Sequence, residues 1–268
     1  MYVNTNYNSL VSRSNLFSTN NDLSKSMERL SSGLRINGAD DDAAGLAIST
    51  RMTSQVKGME QAFRNAQDGV SLIQTTEGAM GTITDMLQRM RELAVQADNG
   101  TYSATDKASM DSEVESLELE IDHIANNTTF NGIKVLGAAS TVSLHISEKS
   151  TDTVTVTLID ATAVTLRVAG LYLVGDAQSS ILQIDIALGD ISKARGELGA
   201  TQNRLGFISD SLQSNINNTS ASRSRIADAD MAKEMSDLTK SQILSQTTMA
   251  MLSRANSQPQ GILSLLNG

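Results

Sequence analysis

The sequence predicts a mainly α fold: a long antiparallel helical bundle or coiled coil made from both chain ends, with a small antiparallel β element in the middle. Three observations predict it. Apolar residues recur at sevens in both halves, Leu16, Leu23 and Leu30 in one and Ile184, Ile191, Leu198, Leu205 and Leu212 in the other. That spacing lines them along one helix face, where a partner helix can cover them. A single Pro among 268 residues permits long uninterrupted helices, because Pro removes an amide donor and crowds the preceding turn. Between the halves the period falls to two, in Thr- and Val-rich runs that suit two-faced strands.

The first helix carries Leu16, Leu23 and Leu30, with Asn20 and Met27 interleaved, and is expected to close at Ser31-Ser32-Gly33, where Gly can take the positive φ that ends a helix. After the polar turn Asn37 to Asp42, a second helix is expected from near Ala43 to about Ala97. Asp41 and Asp42 stand where carboxylates cap free amides and complement the helix dipole. Its seam reads Met52, Val56, Met59, Phe63, Ala66, Val70, Ile73, Met80, Ile83, Leu87, Met90 and Ala94. At 1.5 Å per residue such a run makes a rod of roughly 80 Å. Gly69, Gly78 and Gly81 weaken its interior, each by about 0.5–1 kcal/mol relative to Ala, so tertiary packing must offset them.

Asp98-Asn99-Gly100 reads as a break before a third helix, Thr105 to Ala125, striped by Met110, Val114, Leu117, Ile121 and Ile124. Its other faces hold Asp106, Asp111, Glu113, Glu115, Glu118, Glu120 and Asp122 against Lys107, 7 − 1 = 6 of the nine net negative charges (21 − 30 = −9). The expected role is a solvated face. Phe130-Asn131-Gly132-Ile133 reads as a turn entering a strand, and Val142 to Ile146, Val154 to Ile159 and Val164 to Val168 as antiparallel strands. A helical pattern returns near Gln178, with Leu188 and Ile216 interleaved. The polar stretch Asn215 to Ser224 is expected to separate it from a last helix. That helix should start around Asp228, use Met231, Met235, Leu238, Met249 and Leu252 to about Ala255, and be ended by Pro259.

Composition narrows the function. Without Cys there is no disulfide scaffold, zinc ribbon or thiolate enzyme. An acidic chain with four Tyr, four Phe and no Trp offers neither a basic phosphate footprint nor stacking platforms, which excludes nucleic acid as a partner. His123 and His145 leave little for a metal or general-base site, and no His-Glu-x-x-His string occurs. Asp40-Asp41-Asp42 is followed by no Glu at the twelfth position of a calcium loop. No catalytic residue, metal or cofactor is expected. The N-terminus lacks a basic n-region and apolar h-region, and no run approaches the ~18 apolar residues that span a bilayer. On those grounds alone the expectation is a cytoplasmic protein without a membrane segment.

Two sets of polar strings revise that expectation. One set is Glu28-Arg29-Leu30-Ser31-Ser32-Gly33-Leu34-Arg35-Ile36-Asn37, Asp41-Asp42-Ala43-Ala44-Gly45, Arg64-Asn65-Ala66, Thr75-Thr76-Glu77-Gly78-Ala79, Leu87 to Gln96 and Phe130-Asn131-Gly132. The other is Gln202-Asn203-Arg204-Leu205, Ser224-Arg225-Ile226 and Gln258-Pro259 to Leu266. Together they resemble the two terminal signatures of bacterial flagellin, over roughly residues 1–136 and 178–268, in the family's order. The resemblance implies a short form with only the two core domains: an inner terminal-helix domain of 1–41 and 226–268, and a long-helix domain of 42–225 with its β region at about 130–175. It implies a structural subunit without catalysis that self-polymerises into the flagellar filament used for motility. The subunit would reach the cell exterior through the flagellar export channel without a cleaved signal peptide. A hook–filament junction protein, which shares the helical termini, is the alternative.

The resemblance also implies partners and sites. The partners would be further copies of the chain, hook-associated and cap proteins, a flagellin export chaperone and host flagellin receptors. Leu16, Leu23, Met27, Leu30, Met235, Leu238, Met249 and Leu252 would be polymerisation seams. Arg89, Leu93 and Glu113 match the Toll-like-receptor-type site of the family, and Leu263, Leu265 and Leu266 the tail read by cytosolic sensors and the chaperone.

Overall fold

The computed structural model describes residues 5–149 and 151–266, with residues 259–266 given by backbone alone. In chain order its elements are α1 (Tyr7–Ser32), α2 (Ala39–Asp98), α3 (Ala104–Asn127), β1 (Thr129–Phe130), β2 (Ile133–Lys134), β3 (Ser140–His145), β4 (Thr153–Leu158), α4 (Leu173–Ala227) and α5 (Met231–Leu266). The fold is mainly helical with small antiparallel hairpins in the middle, as the periodicities predict. Two compact units emerge, Met1–Val56 with Asn218–Gly268, and Lys57–Asn217. Their boundaries fall inside α2 and α4.

In the first unit α1 pairs with α5. Asn6 opens α1 by accepting from the Ser9 amide at 3.1 Å, and Gly33 closes it at φ 72°, its amide donating to Arg29 O at 2.8 Å. The connection that follows is pinned to the other end of the chain. Leu34 and Asp228 form an antiparallel bridge, and Arg35 N donates to Ala227 O at 2.7 Å. Asp42 leaves the helical conformation, and its carboxylate accepts from Gly45 N at 2.8 Å. Asp42 is therefore the cap, and the regular part of α2 starts at Ala43 as expected.

In the second unit the core holds Ile73, Met80, Ile83, Leu87 and Met90 of α2, Val114 and Ile121 of α3, and Ile184, Ile191, Leu198 and Leu205 of α4. The sevens of α4 are thus core positions. Ser103 and Asp106 close a capping box at the start of α3. Asn131 and Gly132 both take positive φ between β1 and β2, the geometry of a tight turn that matches strand twist. β3 and β4 pair from Ser140↔Leu158 to His145↔Thr153, and Val154, Val156 and Leu158 point into the core.

Three expectations are corrected. Val164 to Val168 is a series of turns and no strand. Its amides are satisfied locally, Leu166 N by Thr162 O and Val168 N by Ala163 O, and Asp160 accepts from Thr162 N and Thr165 Oγ1. Leu166 and Val168 are buried all the same, so the alternation marked burial and not a ladder. The polar stretch Asn215 to Ser224 continues α4 to Ala227, because polarity exposes a helix without breaking it when no Gly or Pro intervenes. Pro259 lies inside α5, whose backbone continues to Leu266. Pro withdraws one donor and crowds one carbonyl, which favours a kink or break but does not forbid continuation.

Candidate functional site

The α1–α5 pair is joined by small and polar side chains. Ser26, Ser241, Ser245 and Glu234 are buried there. Asn6 Nδ2 donates to Ala255 O at 2.7 Å, Ser9 Oγ to Asn256 Oδ1 at 2.6 Å and Ser245 Oγ to Asn20 Oδ1 at 3.1 Å. Arg29 links three segments, meeting Glu234 of α5 at 3.3 Å and Asp41 at 3.5 Å, while Lys25 reaches Asp41 at 3.6 Å. The Asn37 amide, with Arg29 and Lys25, holds the Asp41 carboxyl below its ordinary value against the opposing effect of burial.

With polar groups taking buried places in the seam, many of the large apolar side chains are left outside. Of the expected polymerisation residues, Leu16, Leu23, Leu30, Leu238 and Leu252 are half-buried, while Met27, Met235 and Met249 are exposed. The seams read from the sevens therefore divide between packing within the unit and free surface. Larger exposed groups escaped the sequence reading: Leu10, Phe17 at 70% exposure, Ile243, Leu244 and Met251. A signal for them existed, since Leu10 and Phe17, and Leu244 and Met251, are also seven apart. An open groove of about 710 Å³ lies along this pair, lined by Tyr7, Val11, Asn15, Thr248, Met251 and Arg254 among others.

In the second unit Arg89 and Glu113 come together on the surface, with Arg89 Nη2 2.8 Å and Nε 2.9 Å from Glu113 Oε1. Glu92 adds a contact at 3.3 Å. The Glu113 hydrogen bond is the main cause that raises the guanidinium above its ordinary value. Leu93 is not on that surface. It is 2% exposed and belongs to the core beneath. Arg91 makes a second link, 2.6 Å from Asp185 of α4. The side chains of Leu263, Leu265 and Leu266 lie outside the described residues.

The acidic face of α3 is more than solvated. Asp111 accepts from Leu173 N at 2.8 Å, Glu118 from Gly170 N at 2.9 Å and Asp122 from Ala163 N at 2.8 Å. Asp122 and Glu118 therefore hold the turns on either side of the expected third strand, and Asp111 holds the first residue of α4. Among the described residues no group of three or more His, Asp or Glu could hold a metal ion, and no helix is long and apolar enough to cross a membrane.

Comparison with known proteins matches the two families described as bacterial flagellin N-terminal helical region, over residues 3–141, and bacterial flagellin C-terminal helical region, over residues 181–266. Flagellin of Halalkalibacterium halodurans is 44% identical across 99% of this chain and 100% of its own length. Flagellin of Bacillus subtilis is 42% identical across 99% and 100%. Among solved structures, a putative flagellar hook-associated protein from Vibrio parahaemolyticus aligns over 70% of this chain and 100% of its own, with a TM-score of 0.59 and 13% identity, a likeness of fold alone. The crystal structure of Bacillus cereus flagellin is 37% identical over 58% of this chain and 88% of its own, with a TM-score of 0.49.

Proposed function

Since the chain belongs to the bacterial flagellin family, we propose that the exposed apolar faces of α1 and α5 are the surfaces through which one subunit binds the next. The protein is the filament subunit of the bacterial flagellum, a structural molecule of the extracellular filament that serves motility and polymerises with itself. One observation carries the assignment of surfaces: α1 and α5 spend their small polar residues on each other and leave Leu10, Phe17, Met27, Ile243, Leu244 and Met251 uncovered. So much apolar surface on one helix pair is a contact surface or an aggregation liability. A heterologous contact of this kind repeats into an open helical polymer.

The same reading extends to domains and partners. Residues 1–41 and 226–268 are the inner terminal-helix domain and 42–225 the long-helix domain that carries the β region. A chaperone covers the apolar faces of α5 before export, for the physical reason that they are unprotected in the free subunit. Hook-associated and cap proteins, which must join the filament ends, meet the same faces. Host flagellin receptors read the Arg89–Glu113 pair, with Leu93 shaping the helix from beneath.

Seeded polymerisation of Phe17→Ser, Leu244→Ser and the unaltered protein, followed by electron microscopy, tests the assignment. Each lost apolar side chain removes about 1.5–3 kcal/mol of burial, so the critical concentration should rise about 10- to 100-fold while monomer helicity is kept. Filaments growing at the ordinary concentration would remove these faces from the contact.

A further inference from the structure

We propose that the exposed methionines of α1 and α5 are a reversible oxidation site that bars the free subunit from joining a filament. The chain has twelve Met and no Cys, so its sulfur chemistry is thioether chemistry alone. Among the described residues the exposed thioethers all fall in the first unit, while Met52 there and Met86 of the second unit are half-buried. In the second unit Met59, Met80, Met90 and Met110 are 9% exposed or less. In the first, Met27, Met231, Met235, Met249 and Met251 are 48–61% exposed. Packing alone gives no reason to place five flexible, polarisable side chains in water. Three lie near one line of α5. Met231 and Met235 are four apart, and Met249, fourteen residues on, returns to within about 40° of Met235. Met251 lines the groove beside Tyr7 and Val11.

The chemistry needs a peroxide as oxidant. One peroxide oxygen is transferred to a sulfur lone pair, the O–O bond breaks, an S–O bond forms and the peroxide leaves as water. The thioether loses two electrons and no proton leaves the side chain overall. The product is a polar, chiral sulfoxide that methionine sulfoxide reductases return to the thioether. Placing that dipole in a face that must be buried without partners opposes assembly. This rests on the reading of α1 and α5 as the contact faces. On that reading a finished filament covers the same sulfurs, so oxidation acts on subunits that have not yet assembled.

The test treats free full-length subunit and finished filaments with hydrogen peroxide, maps sulfoxide by peptide mass spectrometry, and measures addition to seeds by light scattering. In free subunit the five exposed sulfurs should oxidise about tenfold faster than the four buried ones. Addition to seeds should fall at least about tenfold and recover with sulfoxide reductase, and finished filaments should keep the five sulfurs reduced. A variant with all five changed to Leu should polymerise and ignore peroxide. Untreated addition rates for subunit carrying the five sulfoxides, or equal oxidation in filaments, would overturn the proposal. If the Leu variant fails to polymerise, reductase rescue of the unaltered chain decides, and no rescue counts against it. Phe17→Ser without peroxide tests the contact faces separately: normal growth there removes the faces, whereas normal growth of oxidised subunit removes only the switch.

Discussion

The Asp122 carboxylate accepts the amide hydrogen of Ala163 at 2.8 Å. With Glu118 on Gly170, it ties one face of α3 to a segment whose own backbone has no ladder to join, while Asp111 on Leu173 ties the same face to the start of α4. A buried amide without a partner costs more than the bond itself is worth, which is why carboxylates, as strong acceptors, serve here. The charge on α3 is thus partly structural.

Asp122→Ala should destabilise the monomer by about 1–2 kcal/mol, the cost of orphaning a buried donor. Glu115→Ala, at an exposed position of the same helix, should stay within about 0.5 kcal/mol. Urea unfolding of the monomer compares them. Equal effects would mean that α3 contributes only bulk charge.

The glycines of α2 separate into two kinds. A Cβ at Gly69 would strike Leu144 Cδ1 of β3 and sit 3.2 Å from Leu205 Cδ1 of α4, whereas at Gly78 and Gly81 nothing lies within 4 Å. Gly78→Ala and Gly81→Ala should therefore each stabilise the monomer by about 0.5–1 kcal/mol. Gly69→Ala should lower stability by about 1–3 kcal/mol through overpacking. Thermal unfolding of the three variants checks the contrast, and a stabilised Gly69→Ala would contradict it.

How much of this was legible follows from which interactions are local. The sevens of α4 and the seam of α2 are properties of a helix by itself, and all of their Ile and Leu positions from Ile73 onward are buried. Gly33, Asp42 and Asn131-Gly132 act within a few residues, so their roles could also be read. The acceptor role of Asp122 could not, because its donor lies 41 residues away and a backbone amide leaves no mark in the sequence. Val164 to Val168 failed for a related reason: alternating burial fits a strand or a string of turns, and only the neighbouring carboxylates decide. On α1 the first stripe of sevens hid the second, Leu10 and Phe17, which is the more exposed.

Acid should loosen the first unit at the Arg29 cluster. The Asn37 amide, Arg29 and Lys25 favour the charged form of Asp41, so its folded value lies below its unfolded one. The stabilisation is then complete above the ordinary carboxylate range and is lost as pH falls through the folded value. Helicity of the monomer measured from neutral pH downward should drop in that window, and Asp41→Asn should flatten the drop. Arg29→Ala should cost about 1–2 kcal/mol at neutral pH, because it strips the buried Glu234 carboxylate of its charged partner. An unchanged acid profile in Asp41→Asn would assign the transition to other groups.

The receptor-type residues should separate in the same way by position. Arg89 and Glu113 are both about half exposed, so solvent screens their pair and it is worth little to folding. Arg89→Ala and Glu113→Ala should leave monomer unfolding nearly unaltered and lower the response of flagellin-sensing reporter cells. Leu93 sits in the core, and Leu93→Ala should cost about 2–5 kcal/mol, so a lost response there would report damaged packing beneath the surface as much as lost contact. Leu93→Met, close in volume, should preserve stability. A lost response from Leu93→Met at full stability would mean that Leu93 meets the receptor directly after the core opens. A full response from Arg89→Ala would remove the ion pair from recognition.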